Sequence, residues 1–278
     1  MDILEPAAPR PAPKVRPAVW LVLTALGIVT LSWLLNSPEG LSGKADAIGY
    51  AICHRIDTRS FFVGNIQMPL CARCTGIYLG VVLGIVLMAA AGRSRAGLSS
   101  PVPLILTLVA FIAVMGVDGV NSYLTLIPRM PHLYQPQNWL RLITGMLNGL
   151  AITGLVFPIF NQTLWRNWEQ RPTLANFREL GGLLVVAAVV VGIVLTGNPV
   201  ALYPLALLSS LGVLILLTIT TSMIFMLATR TENRARTWRE AFVPLAAGLT
   251  LSLAAILFID VMRFALTGTW NGFSFPSV

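Results

Sequence analysis

All three cysteines of the chain, and one of its two histidines, fall in a single stretch, Cys53-His54-Arg55 followed by Pro69-Leu70-Cys71-Ala72-Arg73-Cys74-Thr75-Gly76. A C-x-x-C spacing brings two sulfurs close enough to chelate one ion or to close a disulfide. Adding Cys53 and His54 gives a Cys₃His set, which suits tetrahedral zinc. Cys53 and His54 are neighbours, so both reach one ion only where the backbone turns. A Cys₃ site with His54 behind it is the other form of the same reading. The rival chemistry is thiol–disulfide exchange linked to a quinone, with Cys71 and Cys74 as the redox pair and Cys53 as the exchanging thiol. Enzymes of that kind usually work with two cysteine pairs, and an odd cysteine count does not supply them. A structural disulfide or simply packed thiols complete the alternatives. Thr75, where a c-type haem site needs His, excludes haem attachment.

Other residues that are expensive in an apolar setting accompany this stretch. Asp118 and Asn121 are three apart, Arg141 and Asn148 share a helical face, and Asp260 and Arg263 are again three apart. Ionisable groups inside apolar spans usually face the bundle interior and often mark a functional site. If a zinc ion here were catalytic, Asp118 would be its general base, and Arg141 or Arg73 would hold an anionic group such as a lipid phosphate. The plainer reading is ion pairing, of Asp118 with Arg141 or Arg73 and of Asp260 with Arg263. A structural site, closed by four ligands and tying the loop to the bundle, is preferred to a catalytic one.

The elements that must position these groups are membrane helices. Of 278 residues, 56% are hydrophobic and only 11% charged, against about 25% charged in soluble domains. Predominantly apolar runs at 18–35, 75–91, 102–122, 139–160, 180–197, 202–228 and 242–266 are each long enough for a hydrocarbon core of about 30 Å. The expectation is therefore an all-α, polytopic transmembrane bundle of about seven spans. A cleaved signal peptide is the rival for the first span; its apolar run is long for one, and a retained helix over 18–38 is expected. The net charge of +8 is no nucleic-acid signal, because most of the arginines sit in short loops between spans. With the N-terminus inside, twelve Lys and Arg lie in inside segments and seven outside. The positive-inside rule then sets the N-terminus in and the C-terminus out, and puts the Cys/His stretch on the extracytoplasmic side of a prokaryotic cytoplasmic membrane.

The expected division of the chain is a disordered basic tail over 1–17, the first span, a Cys/His-containing core over 40–160, a cytoplasmic interfacial segment over 163–179 and a three-span extension over 180–278. Within the core, Leu41, Ala45, Ile48 and Ile52 recur at helical spacing, so 41–53 reads as a short interfacial helix capped by Ser42. Phe61 and Phe62 would hold the following loop, and Pro69 would start the turn that delivers Cys71. Trp165 and Trp168 would sit at headgroup level. Gly76, Gly80 and Gly84, and likewise Gly145 and Gly149, repeat at intervals that let helix backbones approach, which would press the second span against the third or fourth. His132 lies among prolines and reads as an ordinary surface residue. There is no Walker loop, dinucleotide glycine fingerprint or nucleophile elbow. Partners reduce to the bilayer and to other membrane subunits; a transport, lipid-handling or accessory role is the non-enzymatic alternative, weakened for transport by the lack of a visible inverted repeat.

Cys53-His54-Arg55, Arg59-Ser60-Phe61, Pro69-Leu70-Cys71-Ala72-Arg73-Cys74-Thr75-Gly76-Ile77-Tyr78, Asp118-Gly119 and Arg141-Leu142-Ile143-Thr144-Gly145 together resemble a prokaryotic membrane-protein family known as domain of unknown function 2085, over roughly 40–155. The resemblance carries no activity. It implies that the Cys/His stretch, Asp118 and Arg141 form one unit.

Overall fold

A computed structural model describes residues 16–127 and 129–272. The tail expected over 1–17 lies almost wholly outside them. Seven helices are long and apolar enough to cross a membrane: α1 (Arg16–Asn36), α3 (Ala72–Ala90), α4 (Val102–Leu124), α5 (Asn138–Leu164), α6 (Phe177–Leu195), α7 (Pro199–Ala228) and α8 (Trp238–Thr267), with the short α2 (Gly40–Ile52) between the first two. The protein is an all-α bundle, as its composition requires: in hydrocarbon a helix satisfies its backbone polar groups within itself. Several helices outrun the apolar runs, α5 by four residues at its C-terminal end, because polar terminal turns break the hydropathy signal without breaking the hydrogen-bond ladder.

The centre of the bundle is the pairing of α3 with α5. An added Cβ on Gly76 would meet the Leu142 carbonyl oxygen at 2.2 Å, one on Gly145 the Arg73 oxygen at 2.2 Å, and one on Gly149 the Ile77 oxygen at 2.0 Å. Backbone rests directly on backbone, so the glycine faces read from the sequence meet each other, second span on fourth. Gly116 and Gly119 of α4, by contrast, face open space.

At one end of the bundle, α2 and a β-hairpin close over the start of α3. Strands β1 (Ser60–Val63) and β2 (Ile66–Cys71) pair antiparallel, with Ser60 opposite Cys71. Gly64 turns the chain at φ +61°, a conformation that suits glycine in a two-residue hairpin turn. This corrects the expected irregular loop: Gly64-Asn65 between the runs 61–63 and 66–71 is a hairpin signal, and it fixes where Cys71 stands. Two details of α2 also differ. Glu39 rather than Ser42 precedes the helix, with no side-chain cap, and Leu41 is 70% exposed while Ala45 and Ile48 are buried. The buried face is set instead by small residues: an added Cβ on Gly49 would meet the Pro69 oxygen at 1.9 Å.

At the opposite end, β3 (Ala96–Leu98) runs parallel to β4 (Glu169–Pro172). The 163–179 segment is thus a helix end, a strand and a turn. Trp165 is not a headgroup anchor: it is fully buried, beneath the Arg95 guanidinium at 4.3 Å and edge-on to Trp238 at 4.7 Å. A cation over its face and a ring at its side hold the indole inside the fold.

Candidate metal centre

The hairpin, the end of α2 and the first turn of α3 bring the sulfurs of Cys53, Cys71 and Cys74 within 4.8 Å of one another. All three are free thiols, Cys53 and Cys71 buried and Cys74 partly so. Cys71 stands at the N-cap of α3 and Cys74 within its first turn, where the helix dipole favours thiolates. The Cys53 sulfur accepts the backbone N–H of Cys71 at 3.3 Å and of Arg55 at 3.5 Å. Arg55 adopts a left-handed conformation, φ 49°, so the chain turns immediately after the Cys53-His54 pair. Hydrogen bonds from the Cys71 and Cys74 thiols, then the nearby His54 and the Arg55 amide, hold the Cys53 thiol well below its ordinary range despite its burial. The same hydrogen bond, seen from its donor, pushes Cys71 up to about 12. The trio therefore carries one favoured thiolate, which is the start of a soft cation site.

His54 falls outside the three-sulfur group. Its Nδ1 accepts the Ile56 amide at 3.1 Å, so in the neutral ring Nε2 carries the proton and donates rather than ligates. Burial lowers its pKa, as do the charges of Arg59, Arg73 and Arg141, against the opposing pull of Cys53. The imidazole is thus biased to its neutral form. Cys53, His54, Cys71 and Cys74 all line one cavity of about 500 Å³, with Arg73, Tyr123 and Arg263 around them.

Asp118 and Arg141 stand next to this centre. Arg73, between the two α3 cysteines, reaches Asp118 with both Nε and Nη2 in an ion pair. Asp118 also accepts the Tyr134 hydroxyl at 2.8 Å and the Thr144 hydroxyl at 3.4 Å. Its oxygens are thus occupied on both sides. Asn121, three residues on, accepts the Leu133 amide at 2.7 Å and donates to the Tyr134 carbonyl at 2.9 Å, pinning the loop between α4 and α5. Arg141 donates to Asn138 at 2.8 Å and to Ser122 at 3.4 Å. Of the two ion pairs considered for Asp118, the one with Arg73 forms.

Asp260 and Arg263 are engaged elsewhere than with each other. Arg263 lies 3.9 Å over the Tyr50 ring and donates to the Cys53 carbonyl at 2.9 Å, while the buried Asp260 accepts the Trp33 indole N–H at 3.4 Å. His132 is exposed and contacts Gln135. Arg59, part of the Arg59-Ser60-Phe61 segment of the signature, is buried beside this centre. Its nearness to the Cys/His stretch is legible in the sequence, and its contact with Ser122 is not.

These features define a multi-pass integral membrane protein with a three-cysteine cluster at one end of its bundle. Residues 53–155 match the family described as predicted membrane protein (DUF2085), the family that the cysteine signature resembles. A relative in Methanocaldococcus jannaschii, uncharacterized protein MJ1492, is 29% identical over 123 residues, which cover 44% of this chain and 72% of the relative. No solved structure matches the chain.

Proposed function

We propose that Cys53, Cys71 and Cys74 hold one zinc ion in a structural site that fastens the α2–hairpin cap to the start of α3. The observation that carries this reading is the meeting of three free sulfurs within 4.8 Å. Thiolate donors select soft or borderline cations, and the two amide N–H groups on the Cys53 sulfur are the outer-layer support that such ligands need. His54 lines the same cavity and supports the site from behind the ligands, its Nε2–H able to donate to a bound water; a fourth-ligand role would require Nδ1 to release the Ile56 amide. Asp118 and Arg141 serve this centre by position: Asp118 orients Arg73, which lies between two of the ligands. The occupied oxygens of Asp118 favour that role over the general base of a catalytic site. The cap faces the extracytoplasmic side of a prokaryotic cytoplasmic membrane, in keeping with the twelve-to-seven distribution of basic residues. Residues 40–160 form the unit built around the site, and 180–278 extend it.

Elemental analysis of the purified full-length chain tests the reading. About one zinc per chain is expected, lost in Cys71→Ser; less than about half a metal per chain in folded protein would sink it. The same preparation addresses the redox alternative, which the mutual proximity of the sulfurs also favours. A disulfide that forms and opens reversibly in metal-free protein, with a quinone as acceptor, would support it in place of zinc.

A further inference from the structure

Three guanidinium groups from three different elements meet at one serine of α4. Arg59, at the end of the 3-10 turn Asp57–Arg59, donates from Nη2 to the Ser122 carbonyl at 2.6 Å. Arg73 of α3 donates to the Ser122 hydroxyl at 2.9 Å. Arg141 of α5 donates from Nε to the same hydroxyl at 3.4 Å. One carboxylate, Asp118, accompanies them, and Arg73 takes it. Among the described residues, the ion pairs are Arg55–Asp46, Arg73–Asp118, Arg93–Glu179 and Arg171–Glu169. Arg59 and Arg141 are in none of them, and each is only 5% exposed.

Two buried like charges, sharing one nearby carboxylate that a third arginine already pairs with, are a costly arrangement unless an anion joins them. The structure holds them together nonetheless. Asn138 accepts from Arg141 at 2.8 Å and donates to the Thr58 and Ser60 carbonyls, at 3.3 and 3.4 Å, on either side of Arg59. Arg59 commits only Nη2 to the protein, so Nε and Nη1 remain, and Nη2 of Arg141 remains likewise. None of these nitrogens is sealed from solvent. Each of these remaining donors can give an N–H to an oxygen of a phosphate group, whose charge would balance the pair. The position also suits phosphate: Ser122 lies in the last turn of α4 and Arg141 in the first turn of α5, the depth at which a helix end meets lipid headgroups.

We propose that Arg59 and Arg141 form a phosphate-binding site at Ser122, beside the cysteine cluster, for a phosphate group supplied by a lipid headgroup or by free phosphate. The site stands on its own residues and does not require a metal on the cysteines. Native mass spectrometry of the full-length chain in phosphate-free detergent tests it, with inorganic phosphate and phosphatidylglycerol added in separate arms. The wild-type chain should retain one adduct, and Arg59→Gln and Arg141→Gln should each cut its occupancy tenfold or more. A lipid adduct alone assigns the headgroup, a phosphate adduct alone assigns free phosphate, and both together assign a site that accepts either. No adduct on the wild type, or equal occupancy in the variants, overturns the proposal. Should the glutamine variants fail to fold, phenylglyoxal modification of the wild type decides. Protection of Arg59 and Arg141 by either probe supports the site, and equal modification with and without both probes removes it.

Discussion

The backbone N–H of Cys71 points at the sulfur of Cys53, 3.3 Å away, across eighteen residues of chain. This contact joins the two halves of the cysteine cluster before any ion is considered. It follows from the hairpin register that sets Cys71 opposite Ser60. The first prediction concerns what this joint holds. Cys53→Ser, Cys71→Ser and Cys74→Ser should each lower bound zinc to below about a tenth of the wild-type content, and chelation of the wild type should reproduce their loss of thermal stability. Metal content and thermal unfolding of each variant in detergent are the measurements. Wild-type stability in all three would contradict a structural site.

The glycine contacts between α3 and α5 give a sharper packing prediction. Gly149→Ala would drive a methyl group to 2.0 Å from the Ile77 oxygen, and backbone cannot yield as a flexible side chain does. A loss of about 2–4 kcal/mol is expected, at the upper end of overpacking penalties. Gly119→Ala meets nothing within 4 Å and should be neutral or stabilising by up to about 1 kcal/mol, since alanine is the better helix former. Denaturant titration in mixed micelles separates the two. Equal effects would refute the backbone contact.

Tyr134 offers a pH signature. Its burial, and then its hydrogen bond to the Asp118 carboxylate, push its phenol up to about 12 from the ordinary 10.0. The folded state therefore keeps this proton where the unfolded state releases it. The stability that the hydrogen bond contributes is complete below pH 10 and is lost as pH rises from there through about 12. Ultraviolet titration against Tyr134→Phe should show Tyr134 ionising late, and Asp118→Asn should bring its midpoint down. An unchanged midpoint would mean that Asp118 does not hold the hydroxyl.

Sidedness is open to direct labelling. With metal removed, Cys74, the most accessible of the three thiols, should react with a membrane-impermeant maleimide added to intact cells. Labelling only after the membrane is breached would reverse the proposed orientation.

Much of this molecule could be read in advance, and the parts that could not share a cause. Long, predominantly apolar runs announce helices, because hydrocarbon leaves the backbone little other choice. The glycine spacing announced close packing, and the meeting of α3 with α5 realised it. Legible too was the convergence of Cys53, Cys71, Cys74, Asp118 and Arg141 on one end of the bundle, because helix direction alone fixes which end each occupies. The hairpin carried a readable signal in Gly64-Asn65 that the surrounding loop composition masked. The contacts of Arg59 and Arg263 were not readable in the same way. What an arginine does depends on whether a particular carbonyl or ring lies within reach, and that is decided by tertiary packing. Arg263, three residues from Asp260, went instead to Tyr50 and Cys53.

The grip of α8 on the cap has a bearing on biosynthesis. Tyr50 receives the Arg263 guanidinium on its ring and donates its hydroxyl to the Thr269 carbonyl, with the Trp270 ring 5.0 Å away. These partners emerge from the ribosome more than two hundred residues after Tyr50. Until α8 has been inserted, the Cys53 carbonyl lacks its Arg263 donor and the cap lacks its lid. The Cys53 carbonyl thus gains its donor only after the 210 residues that separate it from Arg263 have been made.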